Sequence, residues 1–223
     1  MTEEQWYSSA NPTGMLAFLR DKGPSQRKLR LFAAECCRQN WDLLTDPRLR
    51  RAVEVAEQFA DGRADDRRRA EAEALDAYEG ELDRDDEFRV WSEPVLILVA
   101  GSPFPWEAAA DCARHIIWDA GYVGLDHSFE GVGEELGVEQ ADFLRDIFGN
   151  TVRQVAFDPS WRTSTAVALA KWMYEARDFT AAPILADALE DGGCNDENTL
   201  NHLRGPGAHV RGCWPVDLVL GRG

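Results

Sequence analysis

Long apolar runs are missing from this 223-residue chain, and the longest, Val95 to Ala100, is far below the roughly 20 residues a membrane span requires. No bilayer-crossing segment is therefore expected. The opening M-T-E-E-Q-W also lacks the basic region and apolar run of a secretory leader. Cysteine is sparse, and its count of five is odd, which fits reduced thiols better than a disulfide framework. Together these absences predict a cytoplasmic protein. Catalytic signatures are missing too: there is no Gly-x4-Gly-Lys-Ser/Thr loop, Gly-x-Ser-x-Gly elbow, His-Glu-x2-His helix or dinucleotide fingerprint. The segment from Asp83 to Glu87 has neither the glycine nor the closing glutamate of a calcium loop. The reading leans away from an enzyme.

Basic charge is also short, with 24 Lys and Arg against 40 Asp and Glu and a net charge of −16. Its placement is uneven. Residues 1–69 hold 13 basic and 11 acidic side chains, whereas residues 70–150 hold 4 and 20, so that one stretch carries the whole imbalance. A phosphate backbone is repelled by such a surface, since nucleic-acid affinity rests on Lys and Arg neutralising phosphates. Direct nucleic-acid binding is not expected. The densest part, with Glu79, Glu81, Asp83, Asp85, Asp86 and Glu87, reads either as a solvated face or as a docking surface for a basic partner protein. Arg27, Lys28, Arg30, Arg38, Arg48, Arg50 and Arg51 fall on two expected helices, as a solvated face or as partners of the acidic centre.

What the chain has in abundance is helical periodicity. Asn11-Pro12 is a cap followed by a proline suited to a first helical turn, and Met15, Leu16, Phe18 and Leu19 form an apolar face ending near Gly23. From Ser25 onward, Leu29, Phe32, Ala33, Cys36, Cys37, Trp41 and Leu44 recur at three- and four-residue steps. Asp46-Pro47 repeats the cap-then-proline device before Leu49, Val53 and Ala56, and Asp61-Gly62 closes that helix. Residues 64–88 form a thin-seamed acidic helix, and Val95 to Val99 reads as a buried helix because no second strand exists to pair with it. Further helices are expected between Trp106 and Ala120, Leu136 and Phe148, Thr163 and Tyr174, Pro183 and Leu189, and Asn195 and Arg204. A glycine-rich loop is expected over 121–133. The fold class is all-α: one compact helical array of about eight to ten mostly short helices. It would form a single domain over 1–223, with an acidic insertion at 64–92, either helical or partly mobile, and a glycine-rich C-terminal cap at 192–223.

Soft ligands cluster in one place, the tail C-N-D-E-N-T-L-N-H-L-R-G-P-G-A-H-V-R-G-C. The spacing Cys194-x7-His202-x6-His209-x3-Cys213 offers two thiolates and two imidazoles, the groups that close a tetrahedron around zinc. Gly205, Pro206, Gly207 and Gly212 supply turns to bring them together. The competing reading is plain packing, with Cys194 a small apolar residue after a Gly-Gly helix stop and His209 bonding a helix-end carbonyl. Cys112 and His115, three apart, and the adjacent Cys36-Cys37 fall within ordinary amphipathic pattern. Redox chemistry would need an accessible, electropositive thiol.

The strings L-R-D-I-F-G-N at Leu144 to Asn150, P-I-L-A-D-A-L-E-D at Pro183 to Asp191 and H-V-R-G-C-W-P-V-D-L-V-L-G at His209 to Gly221 resemble a recurrent family of uncharacterised bacterial proteins. R-K-L-R-L-F-A-A-E-C-C-R, Arg27 to Arg38, is similar to that family's N-terminal part. The resemblance spans most of the chain outside about 70–140 and implies no particular activity. Family members read His-Cys-Arg before the Gly-Pro-Gly turn, where this chain has His202-Leu203-Arg204. A site that needed that cysteine would be broken here. One built from Cys194, His202, His209 and Cys213 would not be.

Three functions follow as expectations. The first is a non-catalytic interaction or adaptor module presenting the acidic region to a protein partner. The second is a zinc-binding protein whose metal is structural and, as a lesser variant, catalytic through an open position. The third is an immunity-like or nucleic-acid-mimicking inhibitor using the acidic face.

Overall fold

A computed structural model describes residues 1–42, 44, 46–68, 109–114, 132–151 and 155–222. Every regular element among them is helical, and no strand occurs. The helices are α1 (Glu3–Ser8), α2 (Pro12–Arg20), α3 (Gln26–Gln39), α4 (Pro47–Ala60), α5 (Val132–Phe148), α6 (Ser164–Ala176), α7 (Ala182–Asp191), α8 (Glu197–Arg204) and α9 (Trp214–Leu220). A 3-10 turn, Pro159–Trp161, precedes α6, and residues 109–114 are helical as well. The fold class is all-α. Most of the acidic helix expected over 64–88, the apolar run at Val95 to Val99, His115 and the glycine-rich stretch 121–131 lie outside the described residues.

The chain divides into two compact units, one of Met1 and Ser8–Ala141, the other of Thr2–Tyr7 and Asp142–Gly223. In the first, α3 packs on α4. The stripes that the periodicity marked are the buried ones: Leu29, Phe32, Ala33, Cys36 and Cys37 on α3 face inward, as do Leu49, Val53 and Ala56 on α4. All three cysteines described here, Cys36, Cys37 and Cys112, are buried and outside any disulfide, and burial leads the causes that push Cys36 well above an ordinary thiol pKa. Such thiols resist nucleophilic use. Arg38 closes on Glu57 with Nε–Oε1 and Nη2–Oε2 distances of 2.6 and 3.0 Å, and its guanidinium lies 4.3 Å from the Trp41 ring centroid. Arg27 pairs with Asp61 at 3.1 Å. These two arginines are matched by acids of α4 and its C-terminal end.

The second unit begins with a short helix that the apolar pattern did not reveal. Thr2 and Gln5 form a reciprocal capping box: the Thr2 amide donates to Gln5 Oε1 at 2.8 Å and the Gln5 amide to Thr2 Oγ1 at 3.2 Å. The box starts α1, which buries Trp6 completely. Arg145 of α5 donates to the Trp6 carbonyl at 3.1 Å, so the first residues of the chain are tied to its last third. α5 also starts a turn earlier than the apolar pattern from Leu136 suggested.

The core of this unit is a layer of small and aliphatic residues contributed by α6 to α9. Ala166, Ala170 and Met173 of α6 meet Leu185, Ala186 and Leu189 of α7, with Leu200 and Leu203 of α8 and Val216 and Val219 of α9. Alanines at the α6–α7 contact let the helices approach closely. Leu203 is fully buried in this layer. Side-chain caps begin α6 and α8: Thr163 Oγ1 accepts from the Ala166 amide at 3.2 Å and Asp196 Oδ2 from the Thr199 amide at 2.8 Å.

Asp46 caps α4 by accepting from the Arg48 amide at 2.7 Å and from the Arg48 guanidinium. The Arg48 side-chain hydrogen bond is the main reason its carboxyl titrates below the ordinary 3.8. A lowered folded pKa stabilises the fold above the unfolded pKa, and that contribution is lost as pH falls through the folded value. Asp46→Ala is therefore expected to cost about 1 kcal/mol at pH 7. In urea melts the gap from the wild type should close as pH falls below 3.8.

Candidate metal centre

Asp146, His202, His209 and Cys213 come together in the second unit, with one potential ligand atom from each lying within 4.8 Å of all the others. Each is delivered by a locally determined element. Asp146 sits in the last turn and a half of α5, where Leu144 and Ile147 bury the same end of the helix. His202 lies in the last turn of α8, which ends as the Gly205 amide donates to the His202 carbonyl at 3.2 Å. His209 and Cys213 flank a tight turn in which the Cys213 amide donates to the Val210 carbonyl at 3.0 Å. Gly212, at φ +92°, occupies the turn position that needs a left-handed residue. Cys213 then serves as the N-cap residue of α9.

Asp146 is the hub. Its Oδ1 is 2.9 Å from His202 Nε2 and 2.8 Å from His209 Nδ1, while its Oδ2 accepts from the Val210 amide at 2.8 Å. The Cys213 sulfur stands 3.5 Å from the same His202 Nε2 and 3.7 Å from the same His209 Nδ1. Burial alone would raise the Asp146 carboxyl, but the hydrogen bonds and charge of the two imidazoles outweigh it and hold the group below its ordinary pKa. The Cys213 thiol is driven well up, first by burial and then by the neighbouring Asp146 carboxylate. A nearby cation would reverse that second effect.

The geometry separates two kinds of chemistry. A thiol–imidazole–carboxylate relay needs the two ring nitrogens of one histidine to do different work, one facing the thiol and the other the carboxylate. Here each histidine turns a single nitrogen to both Cys213 and Asp146, so neither can pass a proton between them. Convergence of one atom from each of four groups on one point is instead the arrangement of a metal site. Zinc bonds of about 2.0–2.1 Å to N and O and about 2.3 Å to S, at tetrahedral angles, set N···S edges of about 3.6 Å. The observed 3.5 and 3.7 Å bracket that value. The two O···N edges are at hydrogen-bond length and would open by about half an ångström around an ion.

Charge fits as well. An Asp146 carboxylate and a Cys213 thiolate with two neutral imidazoles give −2, which a divalent ion cancels in a buried place where net charge is costly. His202 is the most open of the ligands, with its side chain 23% exposed against 7% for His209 and 4% for Asp146.

Three of the four residues singled out in the sequence, His202, His209 and Cys213, belong to this group. Cys194 does not. It lies 3% exposed in the apolar core of the second unit, its amide bonded to the Leu189 carbonyl after the helix stop at Gly192-Gly193, and its thiol is raised chiefly by burial. Asp146 stands in its place. The sequence carried a signal for it, an aspartate beside the apolar pair Leu144 and Ile147 in L-R-D-I-F-G-N, since a charge on a buried helix face needs partners. Leu203 packs in the core and is not part of this group. The acidic candidates Glu79, Glu81, Asp83, Asp85, Asp86 and Glu87 lie outside the described residues.

Comparison with protein-family models, with curated proteins and with solved structures finds no match to this chain.

Asp146→Asn tests the hub directly. The amide keeps one acceptor oxygen where the carboxylate offered two, and it loses the negative charge that strengthens the contacts to both histidines and to the Val210 amide. A loss of about 2–3 kcal/mol is expected in chemical denaturation at pH 7.

Proposed function

We propose that this chain is a zinc-binding protein whose ion is structural, clamping the end of α5 to α8 and to the 209–213 turn. The observation that carries the reading is that Asp146 Oδ1, His202 Nε2, His209 Nδ1 and Cys213 Sγ converge, with sulfur–nitrogen separations of 3.5 and 3.7 Å. Four protein ligands fill a tetrahedron and leave no position for water or substrate, which favours a staple over a catalyst. Mixed O, N and S donors suit a borderline-soft divalent ion better than magnesium or calcium, which prefer oxygen alone. The clamp acts where help is needed: the segment from Gly205 to Cys213 has no regular helix, so few backbone bonds hold it.

Metal analysis of the purified full chain is expected to find one zinc per molecule. Cys213→Ser and His202→Ala should abolish it, while Cys194→Ser should retain it. Chelation should lower the melting temperature of the wild type and leave that of His202→Ala unmoved. Cobalt in place of zinc should give visible bands of a tetrahedral site and a thiolate charge-transfer band that Cys213→Ser removes. A wild type that copurifies with no stoichiometric metal and takes up neither zinc nor cobalt would sink the reading.

The charge distribution favours a second reading, in which the acidic stretch around Glu79 to Glu87 docks a basic protein partner and the chain works as an adaptor. Capture of a basic protein should then weaken with salt and with neutralisation of residues 79–87. Capture that neither change affects would remove this reading.

A further inference from the structure

We infer that Trp214 is a positioning residue for the metal centre, holding the His202 imidazole in its ligating orientation, and that Gly149 is the seat that allows it; this rests on reading Asp146, His202, His209 and Cys213 as metal ligands. Two ligands have neighbours that meet each other. Trp214 directly follows Cys213, and Gly149 comes three residues after Asp146. The indole lies beside the most exposed ligand, its centroid 5.3 Å from that of His202 with the rings tilted by 53°, and is itself only 8% exposed. Gly149 packs against the same indole. A Cβ built there would fall 2.8 Å from Trp214 Cγ and 2.9 Å from Cδ1, a separation that real side chains do not tolerate. Gly149 also has φ +65° and closes α5 by donating its amide to the Arg145 carbonyl at 2.9 Å. Two demands, left-handed backbone and an empty Cβ position, thus fall on one residue.

The consequence is a closed ring of contacts: Asp146 to Gly149 through the helix end, Gly149 to Trp214 by packing, Trp214 to His202 ring against ring, and His202 back to Asp146 at 2.9 Å. His202 needs such a wall more than the other ligands do. His209 and Cys213 are fixed by a tight turn and Asp146 by α5, whereas His202 extends from the last turn of α8 with its side chain 23% exposed. An outer residue that locks a ligand's ring orientation usually governs metal affinity by about 10–100-fold.

The test uses the full chain loaded with zinc or cobalt. Zinc affinity is measured by competition with a chelating dye, and urea midpoints taken with chelator report the packing role separately. Trp214→Leu is expected to weaken zinc binding at least about tenfold and to shift the visible cobalt bands, with most of the affinity restored by Trp214→Phe. Wild-type affinity and wild-type cobalt bands in Trp214→Leu, whatever its urea midpoint, would overturn the inference while leaving the metal reading intact. A wild type that takes up no metal overturns the reading and the inference together. If Trp214→Leu does not fold, indole emission decides: zinc should change the wild-type emission, and Trp214→Phe should lose that change. The same change in both proteins overturns the inference.

Discussion

A single buried carboxylate organises the C-terminal third of this molecule. Placing the Asp146 charge away from water is costly, and the cost is offset only where polar partners meet both oxygens. Three groups do so, the His202 and His209 ring nitrogens beside one oxygen and the Val210 amide, which donates to the other. All three come from residues 202–210, more than fifty positions along the chain. The end of α5, the last turn of α8 and the 209–213 turn are therefore fixed relative to one another by the demands of one group. Without them Asp146 would be an unpaired charge in the interior.

That same demand accounts for the chemistry the site can support. Because both imidazoles must face Asp146 Oδ1, both turn the same nitrogen to Cys213 as well, and the four groups point inward at one centre. An arrangement so shared is poor at moving a proton along a line and good at surrounding an ion. The apolar layer beneath is built independently, from alanines and leucines of α6 to α9. The two cysteines of the tail divide between these roles. Cys194 packs with the leucines, while Cys213 reaches both the core and the ligand group.

In the N-terminal unit, basic side chains are used for packing and local pairing. Arg38 lies along the Trp41 ring and bonds a Glu57 that is itself buried, Arg30 stands over the Phe59 ring, and Arg27 spans from α3 to Asp61. Arginine suits this use because its planar guanidinium stacks on an aromatic face while its edge bonds a carboxylate. The small positive balance of residues 1–69 is thus partly spent within the α3–α4 pair, and the acidic excess belongs to the stretch that follows.

Local rules were legible in the sequence wherever neighbours in the chain decide the outcome. The caps at Asn11 and Asp46, the stripes of α3 and α4, the stop at Gly192-Gly193 and the all-α class all follow from spacing and capping chemistry, which act over a few residues. So did the candidate ligand types at His202, His209 and Cys213. Less legible were α1, begun by the Thr2–Gln5 capping box and short of a periodic apolar face, and the four-fold group itself. Cys194 and Cys213 look alike in sequence. Only the tertiary fold sends one thiol into the leucine layer and the other to a carboxylate from α5, because burial and convergence depend on which distant elements pack together. The sequence by itself determined that this chain is helical and that its tail is rich in ligands. The tertiary structure decided that the fourth group is Asp146, since only packing α5 against the tail brings that buried carboxylate to the two imidazoles and the Val210 amide.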